Sequence, residues 1–185
     1  MRDFSLQGEL CIAGLTGAHT FADPGSPLRQ ALEKHQGPVR ILLIDKDSPA
    51  FLERIKDMAG DDPDAQARHE GEYRNRLDSA LRFCVKLAEK HPKLKSIEVR
   101  AYDRPAIWKM VIFGNYLWLQ HYVAGKPGSD TPAYMLSRGG TLSHPMERVF
   151  EFRWGWAGDR KKVLLHRDER GDWIVPVNGE SVSIT

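Results

Sequence analysis

Residues 97–122, IEVRAYDRPAIWKMVIFGNYLWLQHY, string Arg100, Tyr102, Asp103, Arg104, Lys109, His121 and Tyr122 along an otherwise apolar stretch. These side chains suit recognition of a small anion: guanidinium and ammonium groups neutralise charge, while hydroxyls and an imidazole fix orientation. Further candidates stand where other apolar runs end, at Thr16 and Gly17 and at Asp45 and Asp47. Ligands of open α/β sheets gather beyond the carboxyl ends of the strands. Thr16, Asp45, Arg100, Tyr102, Lys109, His121 and Tyr122 therefore form the candidate ligand-binding set.

Each has a plainer alternative. Lys109 alternates with Trp108 and Met110, so it either meets an anion or points to solvent. Arg100 and Arg104 either neutralise a ligand or pair with Glu98 and Asp103, and Asp45 either lines the cavity or caps the next turn. His121 is either a ligand contact or a satisfied strand histidine, and Tyr102 and Tyr122 either line the cavity or cap the core with their hydroxyls outward. Arg74 and Arg76 fit salt bridges with Glu72 or Asp78.

Other chemistries find less support. The 7 histidines show no H-x-x-x-H spacing and no cluster with cysteine, so no metal or other cofactor is expected. G-x-S-x-G and G-x-x-x-x-G-K-[ST] are both absent, and GLTG and SRGG are too short for a phosphate loop. Cys11 and Cys84 sit in apolar patterns, which raises a thiol pKa and marks them as reduced core residues. No residue is assigned a catalytic role.

The elements that must position these groups follow from the pattern. With 185 residues, 41% hydrophobic and 28% charged, one sizeable core is affordable. A net charge of +2 writes in no preference for nucleic acid, no apolar run reaches a membrane span, and Met-Arg-Asp-Phe does not begin a signal peptide. A cytoplasmic protein is expected.

Residues 9–16 read as a buried strand ending at Gly14 and Gly17. Ser26-Pro27 and Ser48-Pro49 each place an N-cap serine before a proline at the first helical position. The first helix turns Leu28, Ala31, Leu32 and His35 to one face; the second turns Leu52, Ile55 and Met58 or Ala59, and closes at Gly60. Between them VRILLI, residues 39–44, is a strand covered on both sides. The polar segment 61–72 is expected to be a mobile loop, leading to a long helix striped by Tyr73, Leu77, Ala80 or Leu81, Cys84, and Leu87 or Ala88, and stopped by His91-Pro92.

Residues 97–102 and 108–122 supply the central strands, the latter folded into a hairpin at Gly114-Asn115, and 133–136 another. A last helix from Ser143 carries one stripe of Met146, Val149, Phe150, Trp154 and Ala157 and a second of Phe152 and Trp156. Residues 158–185 change character: Arg160-Lys161-Lys162 leads to 163–165 and 173–177, a terminal hairpin around 168–172. The whole reads as an α/β fold, a mixed, largely central sheet flanked by helices over residues 1–157, with 158–185 as a C-terminal hairpin extension.

The series ELCIAGLTGAHTF, VRILLIDKDSPA, YRNRLDSALRF, the central stretch above and MERVFEFRWGWA resembles one half of a phospholipase D-like domain. It is more specifically similar to those that follow helix-turn-helix segments in bacterial regulators, over roughly residues 8–157. Active members carry H-x-K-x4-D, with histidine attacking phosphorus and lysine holding phosphate oxygens. Lys109 matches the lysine, but Ile107 stands at the histidine position, Gly114 at the aspartate position, and Gln120-His121-Tyr122 where the family has Gly-Ser.

The resemblance thus implies a catalytically degenerate ligand-sensing or protein-interaction module, binding a small anionic or nucleotide-like metabolite. It implies a homodimer, which Phe152, Trp154 and Trp156 would serve, and, with no helix-turn-helix in this chain, either a fragment or a separately encoded output partner. The alternative is a phosphodiesterase or nuclease with a nonstandard nucleophile such as His121.

Overall fold

The computed structural model describes residues 8–90, 96–126, 130–159, 163–167, 173–177 and 180–184. Nine strands lie in the order β6-β5-β4-β1-β2-β3-β7-β8-β9. β1 (Leu10–Ala13), β2 (Pro38–Ile44) and β3 (Ser96–Tyr102) run parallel to one another, and every other pairing is antiparallel. The mixed α/β sheet read from the sequence is what forms.

β2 is central and closed in on both sides: Ile41, Leu42 and Leu43 are fully buried. That suits its unbroken apolar run, since a strand between two parallel neighbours and two helical layers has no wet face. α4 (Ser143–Asp159) covers one face, where Arg40 and Arg100 meet its side chains. α1 (Pro27–Lys34), α2 (Pro49–Ala59) and α3 (Pro63–Lys90) lie on the other.

The serine-proline starts form as expected. Ser26 accepts from the Leu28 amide and Ser48 from the Phe51 amide, both at 3.2 Å. Before α1, one π-helical turn (Ala18–Ala22) follows Gly17, which takes φ 71°, and buries Phe21 completely.

Two expectations are corrected. Residues 61–72 are not a loop, because α3 begins at Pro63 and runs 28 residues. Asp62 accepts from the amides of Asp64 and Ala65, repeating the cap-then-proline device, and Arg74–Glu70 and Arg76–Glu72 pairs sustain the polar first half. In α2, Leu52 faces solvent while Phe51, Arg54 and Ile55 are buried. An arginine inside the i, i+3, i+4 stripe disguised the buried face.

β4 (Trp108–Phe113) and β5 (Tyr116–His121) form the expected hairpin, with Gly114 at φ 49° in its two-residue turn. β6 (Ala133–Ser137) extends it as an outer strand. β7 (Val163–Arg167) pairs with β8 (Trp173–Val177) as a hairpin, and β9 (Glu180–Ile184), which was not anticipated, adds a third strand. β7 also pairs with β3, so these strands continue the main sheet. Residues 91–92, 160–162 and 168–172 lie outside the described residues.

Candidate functional site

The parallel strands deliver their carboxyl ends to one edge, where backbone bonds fasten them together. Gly14 donates to the Leu42 carbonyl at 3.0 Å, Ile44 to that of Leu15 at 3.0 Å, and Asp45 to that of Tyr102 at 2.7 Å. Two tyrosines complete the fastening. The Tyr102 hydroxyl donates to the Gly14 carbonyl at 3.2 Å, and the Leu15 amide donates to the Tyr122 hydroxyl at 3.1 Å. The hydroxyls thus point inward rather than to solvent. Burial pushes both phenols up, that of Tyr122 to about 12, so each remains protonated at neutral pH.

Strand alternation separates the two rings. Tyr102 lies on the α4 side, with the Arg153 guanidinium 5.1 Å from its ring, and Tyr122 on the α2 side, with Arg54 at 5.5 Å. Thr16 is buried beyond the end of β1. Asp45 accepts from the Asp47 amide at 3.1 Å while its carbonyl receives the Ser48 hydroxyl at 2.7 Å, so it shapes the turn into α2. Asp47 holds Arg74 at 3.1 Å.

His121 and Tyr122 come together in the wall of a crevice of about 210 Å³ with Glu53, Arg54, Asp57 and Ile107. Trp108 supports the imidazole, with ring centroids 4.7 Å apart. Arg54 is only 6% exposed; it donates to the Val123 carbonyl at 3.1 Å and has no carboxylate partner among the described residues. Sequence reasoning missed it. The i+3 spacing from Phe51 was the available signal, overridden by its charge.

Of the seven candidates only His121 and Tyr122 line this crevice: Thr16, Asp45 and Tyr102 stand outside its wall, where they shape the strand ends, and Arg100 and Lys109 lie inside strands. Arg100 faces α4, paired with Glu98 at 2.6 Å, donating to the Trp154 carbonyl at 2.7 Å and stacked 4.1 Å from that ring. The pairing alternative thus describes its contacts. Lys109 lies on the opposite face, its ammonium 5.1 Å from the Trp118 ring, with no ion pair among the described residues. Burial lowers its pKa. Its stem and the Tyr122 hydroxyl flank Gly14, where an added Cβ would stand 3.5 Å from that hydroxyl.

A second crevice, about 200 Å³, opens under α4 over Cys11 and Arg40. Arg40, also missed within VRILLI, bonds Glu151 through two nitrogens at 2.8 and 2.7 Å and lies 2.7 Å from Glu9. Burial pushes the Cys11 thiol up to about 12, leaving it unreactive at neutral pH; Cys11 and Cys84 are both buried and unpaired.

The hydrogen bond from Arg40 holds the Glu151 carboxyl below its ordinary value of 4.5. A carboxylate whose pKa is depressed by folding adds stability above its unfolded value and loses it as pH falls through the folded one. Stability should therefore decline below pH 4.5, and Glu151→Gln should flatten part of that decline in urea titrations at stepped pH. Because the Glu151 side chain is 56% exposed, screening holds the expected difference below about 1 kcal/mol.

No family model matches the chain, and no curated protein matches it. Among solved structures it is similar to TrmBL2, an archaeal chromatin protein described as showing a novel mode of DNA binding, at 14% identity and a TM-score of 0.44. That alignment covers 82% of this chain and 44% of the other, so the chain spans less than half the length of that protein. Among the described residues no helix is long and apolar enough to cross a membrane, and no group of three His, Cys, Asp or Glu could hold a metal ion.

Proposed function

We propose that this chain is a ligand-sensing or protein-interaction module of phospholipase D-like descent that has lost its nucleophile. It binds a small anionic or nucleotide-like metabolite in the crevice formed by Arg54, His121 and Tyr122. One observation carries this reading: the crevice wall includes Ile107, 46% exposed, where the family pattern has its attacking histidine. An isoleucine can bound a ligand but cannot attack phosphorus. Lys109, matching the phosphate-binding lysine, packs its ammonium by Trp118 instead of lining the crevice.

Arg54 offers a guanidinium to an anion, Tyr122 an aromatic surface and His121 a hydrogen-bonding edge, while the Glu53 and Asp57 carboxylates in the same wall would suit a ligand that also carries hydrogen-bond donors. The module works in the cytoplasm as a homodimer, and a separately encoded output protein reads its state.

Screening phosphorylated and carboxylated metabolites by thermal shift tests this reading. A ligand at one hundred times its dissociation constant stabilises its protein by about 2.7 kcal/mol, a readily measured rise. The rise should disappear in His121→Ala, with no phosphodiester turnover in either protein. Phosphodiesterase activity in the wild type, lost in both Lys109→Ala and His121→Ala, would replace the sensor with a hydrolase.

A further inference from the structure

We infer that β6 is the surface through which two copies of this chain associate, each adding its outer strand to the other's sheet. The inference rests on the proposed homodimer and identifies its contact surface. β6 ends the sheet and, among the described residues, pairs with β5 alone. Outer strands carry unpaired amides and carbonyls, which proteins ordinarily protect with charge or proline. The sequence AYMLS has neither.

Exposed apolar side chains concentrate at this edge. Tyr134 is 51% exposed and Met135 61%, both on the strand itself. Apolar surface gathered in one segment marks an interaction site more strongly than the same residues scattered.

The strand is also its own complement. Antiparallel pairing about a two-fold axis through Met135 sets Ala133 opposite Ser137 and Tyr134 opposite Leu136. Tyr134 and Leu136 share the α4 side, being opposite Leu119 and Leu117, while Met135, opposite Trp118, points to the other. Each face of the joint would therefore be apolar: two Tyr–Leu contacts on one, Met135 against the partner's Met135 on the other.

In this register Arg138 stands opposite the other copy's Pro132, so no like charges meet directly across the joint. By contrast, the α4 residues considered for this role do not form one surface: Trp154 is buried while Phe152 is 68% exposed.

The test is a charge swap at the axis, read by size-exclusion chromatography with light scattering. Wild type should run as a dimer at micromolar concentration. Met135→Lys and Met135→Glu should each run as monomers with melting temperatures near that of a wild-type monomer, since like charges meet at the axis while the fold loses little. Their equimolar mixture should return to a dimer, with lysine facing glutamate. A dimer persisting in both variants, but broken by Phe152→Ser, would overturn the β6 surface and leave the homodimer standing. A monomeric wild type would overturn both, and a mixture that stays monomeric would overturn the Met135 axis.

Discussion

Trp154→Ala should lower stability by about 3–5 kcal/mol, the range for removing a large buried aromatic side chain. In a protein of 185 residues this shifts the melting temperature down by roughly 10 °C. Trp154 is 8% exposed and stacks on Phe150 with centroids 5.9 Å apart. The Arg100 and Arg40 guanidinium groups lie 4.1 and 5.3 Å from its ring. Removal therefore opens a cavity and uncovers two partly buried cations at once. Trp154→Phe should recover more than half of the loss. A drop of only a degree or two in calorimetry would mean that α4 is not docked through this ring.

Gly17→Ala is expected to cost about 3 kcal/mol, combining the penalty of a left-handed backbone with overpacking. At φ 71° an added Cβ would stand 2.5 Å from the Phe21 ring and 3.2 Å from Leu43 Cδ2. Both neighbours are fully buried, so neither can swing away. Gly71→Ala provides the contrast. It lies within α3 with nothing within 4 Å of an added Cβ, and should raise stability by about 0.5–1 kcal/mol. Urea titrations of the pair separate a conformational requirement for glycine from a tolerated one; equal, small effects would show that the turn at residue 17 relaxes freely.

The fold was legible where one residue type carried one meaning. Ser26-Pro27 and Ser48-Pro49 started helices because a serine cap and a proline at the next position suit no other element as well. Gly114-Asn115 turned the hairpin because its short connection needs a positive φ. Asp62-Pro63 carried the same signal, but the residues after it are polar, and an expectation built on apolar periodicity read them as loop. Their helix is held by caps and ion pairs, which leave no hydrophobic stripe.

The candidate site was legible only in part. His121 and Tyr122 come to one crevice, as expected, because they stand at the end of β5, and strand ends converge. Arg100 and Lys109 sit inside strands, where period-two alternation sends neighbours to opposite faces and three-dimensional packing decides what each meets. Arg40 and Arg54 were hidden for the converse reason. Each looks like a surface charge in sequence, yet Arg40 is held by carboxylates from distant segments and Arg54 by a carbonyl of the segment after β5.

The placement of β1 also governs how the chain can fold. β1 lies between β2 and β4, so Leu10 must wait for Phe113 before its second side is paired. Until β4 is made, LCIA is an apolar strand with one open edge, the kind of surface that recruits other chains. During synthesis the early half can assemble its parallel strands and α3, but it carries this open edge until the hairpin of β4 and β5 arrives. Pairing across so much sequence is slow, because loop closure precedes the contacts that stabilise it. A segment open to misassembly early on is therefore one of the best buried in the finished protein.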